Sequence, residues 1–277
     1  MKSLRRLSGL LLFAAAAALA QSGEEVPFVT TPDHVTLAML RLAGVTAKDH
    51  VLDLGSGDGR IVITAARRFG AAGTGVEIVP DLVQRSRENA TLAGVAERAR
   101  FVEQDLFQTD LSQASVITMY LLPEVNLQLR PKLLALAPGT RIVSHDWDLG
   151  DWQPDRTLTV DAPHKPIGRE KLSRLHRWVV PARVQGLWCA ADGSALRLEQ
   201  RYQVVGATMQ RGALVTAWHG RLDGRQLRLH GDGKASATLQ AAGEDRLRWA
   251  ASAKPAPSFA REWRRESGSA CPAAAAR

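Results

Sequence analysis

The chain is poor in the residues from which several common kinds of site are built. Only 2 of its 277 residues are cysteine and 7 are histidine. No set of histidine, aspartate and glutamate has the close spacing of metal ligands, so the sequence predicts no metal site. A G-x-S-x-G turn is absent, and neither cysteine stands beside a histidine. Nothing therefore indicates serine or cysteine hydrolase chemistry.

Positive charge is abundant but is not gathered into a dense run. The formal net charge is +8 and the sequence pI is about 10.1. Residues 181–277 account for +7 of this charge and residues 1–180 for +1. Because no lysine- and arginine-rich run and no RNA-binding aromatic motif occurs, we do not expect nucleic acid to be a partner. The basic C-terminal part is compatible with association with an anionic membrane surface or an acidic partner.

The first 20 residues have the order of an export signal. Lys2, Arg5 and Arg6 precede an apolar stretch over residues 7–19, and Ala18-Leu19-Ala20 has the small-residue pattern of a cleavage site. At about 13 residues, the apolar stretch is too short to span a bilayer. We predict that residues 1–20 are a cleaved signal peptide and that the protein is exported, most simply to a periplasm.

Three glycines at alternate positions follow a short apolar segment that reads as a buried strand. Gly55, Gly57 and Gly59 allow the chain to turn sharply before a helix begins near Arg60, which is typical of a loop beneath a nucleotide cofactor. A dinucleotide loop has the spacing G-x-G-x-x-G, whereas the third glycine here comes one residue early. This loop is therefore expected to bind another kind of nucleotide cofactor.

Acidic residues mark the nature of that cofactor. Asp53 and Asp58 flank the turn, and carboxylates repel a pyrophosphate but suit a ligand with positive charge. Two further predicted strands end in acids, at Glu77 and Asp105. In a doubly wound sheet, the acid after the second strand binds the ribose hydroxyls. The three strand ends thus predict one binding site at the carboxyl edge of the sheet.

At this point the sequence resembles the class I S-adenosylmethionine-dependent methyltransferases. Their first motif is an acidic residue, any residue and Gly-x-Gly-x-Gly, and residues 53–59 match it. The resemblance implies S-adenosyl-L-methionine as cofactor, with Asp105 accepting a hydrogen bond from the adenine. A segment before the first strand often covers the cofactor in this fold, so Thr31 is a candidate there as well as a candidate helix cap. The candidate cofactor-binding residues are Thr31, Asp53, Gly55, Ser56, Gly57, Gly59, Glu77, Asp105 and Leu106.

Four segments narrow the resemblance to one subgroup of these methyltransferases. They are residues 31–32, 53–63, 121–123 and 138–140. Together they are similar to the protein-lysine methyltransferases that act in mitochondria on the adenine nucleotide translocase and the ATP synthase c-subunit, and to exported bacterial relatives, over roughly residues 26–155. Methyltransferases that modify amides or bases carry Asp or Asn, Pro, Pro and an aromatic residue after the fourth strand. This chain has Tyr-Leu-Leu-Pro at 120–123, which argues against glutamine or adenine as acceptor.

Candidate catalytic residues follow the fourth and fifth predicted strands. Asp146 or His145 could take a proton from, or orient, an incoming amine, and Tyr120 and Trp147 could supply aromatic walls. The alternative is that His145 and Asp146 hydrogen-bond a loop while the tryptophans pack.

The predicted fold is α/β. Alternating helices and strands over residues 21–180 indicate a doubly wound, seven-stranded methyltransferase sheet closed by an antiparallel hairpin. Residues 181–266 show about seven short alternating strands, which predict a small antiparallel barrel or sandwich with a filled core. Gly186-Leu187-Trp188 is similar to the Gly-x-Trp of lipocalin-like barrels, where Arg261 or Arg264 could cover the tryptophan. Residues 267–277 are rich in small residues and are predicted to be disordered.

The two cysteines leave two possibilities open. An oxidising compartment would permit a Cys189–Cys271 disulfide, whereas a disordered tail would leave both thiols unpaired.

The resemblance implies N-methylation of protein lysine. One alternative is transfer to a small-molecule or lipid acceptor held by the barrel, and another is an exported binding protein that retains the cofactor fold without catalysis.

Overall fold

A computed structural model describes residues 29–165, 170–232, 235–250 and 259–272. The predicted signal peptide at residues 1–20 lies outside the described residues. Among the helices that are described, none is both long enough and apolar enough to cross a membrane.

The first part of the chain alternates helices with strands, as predicted. The elements are α1 (Asp33–Ala43), β1 (His50–Leu54), α2 (Arg60–Phe69), β2 (Ala72–Glu77), α3 (Pro80–Leu92), β3 (Ala99–Glu103), β4 (Val116–Met119), α4 (Pro123–Leu134), β5 (Arg141–His145), β6 (Arg156–Asp161) and β7 (Leu172–Val179).

These seven strands form one sheet in the order β3-β2-β1-β4-β5-β7-β6. Strands β1 to β5 are parallel to one another, while β7 runs antiparallel to both β5 and β6. The predicted methyltransferase sheet with its closing hairpin is confirmed. The ends of β1 to β5 that carry their last residues meet along one side of the sheet, which we call the carboxyl edge.

Helix α2 shows why the glycine loop is held firmly. Its inward residues Ile61, Val62, Ala65 and Ala66 are buried, so the helix packs on the sheet directly after the loop. Gly70 ends the helix with a φ of 68°, a left-handed conformation that glycine adopts without strain. The loop between β1 and α2 is thus anchored at both ends by apolar packing.

The remaining strands form a closed antiparallel barrel of eight strands, one more than the sequence predicted, in the order β10-β11-β12-β13-β14-β15-β8-β9. The strands are β8 (Gly186–Cys189), β9 (Ala195–Arg201), β10 (Val204–Arg211), β11 (Leu214–Asp223), β12 (Gln226–His230), β13 (Ser236–Ala241), β14 (Arg246–Trp249) and β15 (Glu262–Glu266).

Aromatic side chains fill the barrel interior. The Phe259 ring lies edge-on to Trp218 at 4.8 Å and to Trp263 at 6.0 Å between centroids, within a cluster of buried apolar residues. Trp188 is covered by Arg265, whose guanidinium carbon lies 4.3 Å from the ring centroid. The expectation of Arg261 or Arg264 in this position was therefore wrong. The barrel interior is therefore occupied by the protein's own side chains.

The barrel is attached to the sheet at the edge opposite the carboxyl edge. The Ala182 N–H donates to the Gly224 carbonyl at 2.8 Å, and the Gly139 N–H donates to the Val180 carbonyl at 2.9 Å, just before β5 begins. Arg221 of the barrel pairs with Asp155 at 3.1 Å, beside the last residues of β7. The geometry therefore does not favour a barrel that delivers a small acceptor to the carboxyl edge.

A disulfide joins Cys189, in the first barrel strand, to Cys271, with the two Cα atoms 5.5 Å apart. The prediction of a disordered tail is thus corrected for residues 267–272, which the bridge holds against β8. Residues 273–277 lie outside the described residues.

Replacing Cys271 with serine should lower the free energy of unfolding of the barrel by about 2 kcal/mol, because the bridge closes a long loop in the unfolded chain. Thermal unfolding followed by tryptophan fluorescence measures the effect. A reducing agent should bring the wild-type protein to the level of the variant and leave Cys271→Ser unchanged. Equal melting of the two proteins without reductant would contradict the expectation.

Candidate active site

The glycine loop turns tightly at the end of β1. Gly55, Gly57 and Gly59 all have positive φ values, of 72°, 52° and 81°. A Cβ at Gly55 would lie 2.9 Å from Leu121, and one at Gly59 would lie 2.6 Å from the ring of Phe101. Gly55 and Gly59 therefore require glycine for both conformation and space, and Gly57 requires it for conformation.

Asp53 lies at the floor of this loop. Its side chain is almost fully buried, and the Thr118 hydroxyl donates to it at 2.6 Å. Burial raises the pKa of Asp53 to about 8, helped by the negative charges of Glu77 and Asp58 and opposed by the Thr118 hydrogen bond. A carboxyl group held in this state gains its charge most readily when a cation comes close.

Glu77 closes the loop from the neighbouring strand. The Gly57 N–H donates to Glu77 Oε2 at 2.9 Å, while the N–H groups of Ile78 and Val79 donate to Oε1 at 2.8 and 3.1 Å. Three backbone donors thus fix the carboxylate between the ends of β1 and β2. This is the place at which the sequence predicts a carboxylate for ribose hydroxyls.

The third predicted acid belongs to the same edge but is less tightly held. Asp105 comes two residues after β3 ends, and its Oδ1 accepts the Phe107 N–H at 2.8 Å. Leu106 is half-buried, and Phe107 is 39% exposed. Because β3 and β2 are adjacent, Asp105 and Glu77 stand at neighbouring strand ends, with apolar side chains beside them.

Asp58 has another role from the one its sequence position suggests. It receives hydrogen bonds from the Arg60 guanidinium at 2.5 and 2.9 Å, and Arg60 also donates to the Thr31 carbonyl at 2.8 Å. The charge of Asp58 is therefore balanced by Arg60, and the pair ties the glycine loop to the segment before α1.

The hydroxyl of Ser56 provides a direct test of whether this loop suits a ligand. It is buried and, among the described residues, has no hydrogen-bond partner. A buried polar atom without a partner is costly unless something else binds it. Together with the glycine surface and the carboxylates of Asp53 and Glu77, it fits the cofactor that the sequence predicts.

The three candidate catalytic residues come together at the ends of β4 and β5. The Tyr120 ring stacks on His145 with centroids 3.9 Å apart, and the Tyr120 hydroxyl donates to Asp146 Oδ2 at 3.1 Å. Burial and the nearby Asp146 charge raise the pKa of Tyr120, so its phenol stays protonated and remains a donor. Trp147, 45% exposed, stands at the rim, whereas Trp152 is fully buried.

His145 is buried with both ring nitrogens engaged. Nδ1 lies 3.1 Å from the Thr31 hydroxyl, and Nε2 lies 2.8 Å from the Ser173 hydroxyl. Burial lowers the pKa of His145 to about 4, so the ring is neutral near pH 7. These contacts suit a support for the Tyr120 ring better than a proton acceptor. Thr31, a candidate cap and cofactor contact, makes no side-chain capping bond to α1 and contacts His145 instead.

Asp146 is the most strongly engaged group at this end of the site. Its φ is +65°, which is uncommon for a residue other than glycine, and its Oδ1 accepts the Arg174 N–H at 3.1 Å. Burial by itself raises the pKa of Asp146, but hydrogen bonds from Lys165 and the Arg174 backbone outweigh that effect, and the net pKa lies below its usual value. The residue is therefore an ionised carboxylate fixed in position.

Two contributors were missed at the sequence level. Lys165, between β6 and β7, lies 2.5 Å from Asp146 Oδ2 and belongs to no motif. Asn126, in the first turn of α4, is fully buried and donates to the carbonyls of Trp147 and Asp148 at 3.2 and 3.3 Å. It holds the loop that follows Asp146, and an isolated asparagine in an otherwise ordinary helix gives no signal of this role.

Comparison with known proteins agrees with this geometry. Residues 53–156 match the model of the ANTKMT methyltransferase domain. The chain is 44% identical over 138 residues to a protein-lysine N-methyltransferase of Saccharolobus islandicus, an alignment that covers 49% of this chain and 86% of that protein. The chain belongs to this methyltransferase family.

Other members and a solved structure extend the comparison. The adenine nucleotide translocase lysine N-methyltransferase of mouse is 34% identical over 53% of this chain and 67% of that protein. The mouse lysine N-methyltransferase of the ATP synthase c-subunit is 40% identical, but the alignment spans only 43% of its length. An RNA methyltransferase from Salinibacter ruber, solved with S-adenosyl-L-homocysteine, is 50% identical over 56% of this chain and 96% of that chain, with a TM-score of 0.52. The predicted resemblance to the mitochondrial lysine methyltransferases is confirmed.

The match with the family model ends at residue 156. It includes the glycine loop, the acids of β1 to β3, and Tyr120, His145 and Asp146. It ends before Lys165 and the barrel, so neither of these features belongs to the matched family domain.

Proposed function

We propose that this methyltransferase transfers a methyl group from S-adenosyl-L-methionine to the side-chain amine of a lysine in a protein. The observation that carries the proposal is the ionised Asp146 carboxylate beside Tyr120 at the carboxyl edge, next to the glycine loop. Its support from comparison is the 44% identity to a lysine methyltransferase over most of that relative's length.

The cofactor half of the site would be formed by residues already in place. Glu77 would bind the ribose hydroxyls, Asp105 the adenine, and the Ser56 hydroxyl and Asp53 the polar methionine end. The bound cofactor supplies an electrophilic methyl group on a sulfonium. The glycines keep side chains out of the space beneath it, and Leu106 offers an apolar surface to the base.

The acceptor half must first remove a proton, because a lysine ammonium has no lone pair with which to attack. Asp146 can bind and orient the ammonium, and the Tyr120 hydroxyl fixes its carboxylate oxygen. Because the pKa of Asp146 lies below its usual value, the carboxylate does not keep the proton, which passes through water to solvent. The Tyr120 ring, stacked on neutral His145, provides an aromatic wall that favours a cation or an amine over water. Alignment of the amine with the methyl group would supply much of the acceleration.

A second candidate acceptor is RNA, since the Salinibacter ruber structure with 50% identity is named an RNA methyltransferase. The residues at the acceptor end favour lysine. Tyr120 is followed by Leu121, Leu122 and Pro123, and this segment offers no side-chain amide or carboxylate to polarise a base nitrogen. A carboxylate at Asp146 suits an ammonium and repels phosphates.

The proposal is tested by methyl transfer from labelled S-adenosylmethionine to an extract of the source cells. The products are treated separately with protease and with ribonuclease and extracted with organic solvent, and the protein fraction is hydrolysed to amino acids. The proposal expects label in Nε-methylated lysine. Label that ribonuclease releases, or that partitions into solvent, would overturn it in favour of RNA or of a small or lipid acceptor.

Cofactor binding should release a proton from Asp53. Because its pKa is about 8 in the free protein, the carboxyl is mostly protonated at pH 7, and a positively charged ligand favours the ionised form. Affinity should therefore rise about tenfold per pH unit as pH approaches 8 and then level off. Calorimetric titration at pH 7 in buffers of different ionisation enthalpy should detect about one proton released. Asp53→Asn should abolish the release, and a wild-type protein that releases none would contradict the assignment.

We further propose that the protein is exported and works in an oxidising compartment. The N-terminal residue order of an export signal and the Cys189–Cys271 disulfide support this, since disulfides persist mainly in such compartments. Mass spectrometry of the protein isolated from a periplasmic fraction should find an N-terminus at Gln21 and no free thiol. Recovery of an intact chain from the cytosol alone would refute export.

A further inference from the structure

A lysine of the chain itself already lies on Asp146. The Lys165 ammonium is 2.5 Å from Asp146 Oδ2 and donates to the Leu172 carbonyl at 2.8 Å. The residue is only 7% exposed, although lysine is rarely buried to this degree unless its charge is paired. A buried cation of the protein is thus paired with the carboxylate that, in the proposed reaction, binds the acceptor amine.

The surroundings of the Lys165 ammonium are those that a lysine acceptor requires. A carboxylate oxygen and a backbone carbonyl accept its N–H groups, and the Tyr120 hydroxyl donates to the same carboxylate oxygen. The Tyr120 ring and the stacked His145 ring form the adjoining wall. A side chain of lysine length with a terminal cation is accommodated here by the fold itself.

The position of Lys165 in the chain places it at the carboxyl edge of the sheet. It lies between the end of β6 at Asp161 and the start of β7 at Leu172, and β7 begins next to the last residue of β5, His145. The end of β6 and the start of β7 therefore lie at the carboxyl edge, where an acceptor protein must dock.

We propose that Lys165 occupies the acceptor-lysine subsite on Asp146 and that an acceptor lysine binds by displacing it. This inference rests on the proposed lysine acceptor. The two ammonium groups cannot share Asp146 favourably, because one carboxylate would face two like charges within a few ångströms. Lys165 then competes with the acceptor lysine for Asp146. An acceptor can bind productively only if its other contacts with the protein outweigh the loss of the Lys165–Asp146 ion pair.

The test uses n-butylammonium, which reproduces the end of a lysine side chain, as the probe. Binding to the full exported chain is followed by protein-observed NMR titration for the wild-type protein and for Lys165→Met, Lys165→Arg and Lys171→Met. Lys165→Met keeps the length of the side chain without its charge. Lys165→Arg keeps the charge, and Lys171 is a lysine of the same connection whose ammonium donates to the Lys165 carbonyl rather than to Asp146.

The proposal expects Lys165→Met to bind the probe about tenfold more tightly than wild type, the ratio that a modest charge-assisted hydrogen bond represents. Lys165→Arg should bind no more tightly than wild type, and Lys171→Met should match wild type. Adding Asp146→Asn to Lys165→Met should remove the gain. Equal affinity for Lys165→Met and wild type, or a gain that survives Asp146→Asn, would overturn the proposal.

Thermal unfolding shows whether each variant is folded, and Lys165→Gln replaces Lys165→Met if the latter is not. The probe needs no methyl transfer, so the result is separate from the labelled-methyl test. If label appears in RNA but the probe binds as expected, the acceptor assignment fails while the subsite remains. If label appears in lysine but Lys165→Met binds the probe no better than wild type, only the displacement mechanism fails.

Discussion

Replacing Asp146 with asparagine is expected to lower kcat/KM for methyl transfer by about a hundredfold, because the charge-assisted contact that binds and orients the ammonium is lost. The change keeps the size of the side chain, and asparagine tolerates the positive φ of 65° at this position. It removes the charge that binds and orients the ammonium. Affinity for the cofactor should change little, because the proposed cofactor-binding residues lie at the ends of β1 to β3.

The matched control is Asp148→Asn, the same chemical change two residues further along. Asp148 is exposed, and its carboxylate accepts the Gly150 N–H at 2.9 Å without contacting Tyr120 or Lys165. Initial rates with labelled cofactor measure both variants. If Asp146→Asn retains wild-type kcat/KM, Asp146 is not the acceptor carboxylate, and a loop-holding role for it would stand instead.

Replacing Glu77 with alanine is expected to weaken S-adenosylmethionine binding by about a hundredfold or more, because charge-assisted hydrogen bonds to two ribose hydroxyls are lost. The loss also frees the Gly57 N–H, which Glu77 Oε2 accepts at 2.9 Å, so the glycine loop is less firmly held. Equilibrium dialysis with labelled cofactor measures the affinity.

Glu103→Ala is the matched control for this change. Glu103 is the register partner of Glu77 on the adjacent strand β3, and it is exposed. Its replacement removes the same charge from a neighbouring strand end but should leave affinity within about twofold of wild type, because a screened surface charge contributes little. Equal losses in the two variants would mean that net charge at the carboxyl edge, rather than the Glu77 contact, determines binding.

The glycine loop and the acids at the strand ends could be predicted because their signals are local. Glycines with positive φ at 55, 57 and 59 must stand close together in sequence to make one turn. Acids that follow parallel strands are brought to one edge by the topology itself. The start of α2 at Arg60 was also predicted correctly, because the glycine loop directly precedes it.

The acceptor half depends on contacts that sequence spacing does not encode. Lys165 meets Asp146 only because β7 runs antiparallel beside β5 and returns the connection from β6 to the carboxyl edge. The sequence predicts that Thr31 caps a helix, yet its hydroxyl contacts His145, which is 114 positions away in sequence. In both cases, a side chain whose local sequence suggests an ordinary role instead contacts a residue that is distant in the sequence.

The barrel shows the same division between local and long-range information. Alternation predicted its strands, but the number needed for closure depends on β15 pairing with β8 across most of the domain. The arginine over Trp188 was predicted at the wrong position, because the register of β15 on β8 places Arg265, and not Arg264, opposite Trp188. The same pairing brings Cys271 close to Cys189. The composition of the tail had favoured disorder and therefore two unpaired thiols.

The most direct test of the account is calorimetric titration of the purified protein with S-adenosylmethionine and with S-adenosylhomocysteine. If the glycine loop, Asp53 and Glu77 form the cofactor site, each ligand should bind at one site per chain, and each should displace the other. A folded protein, shown by a cooperative thermal transition, that binds neither ligand would contradict the methyltransferase assignment of this site.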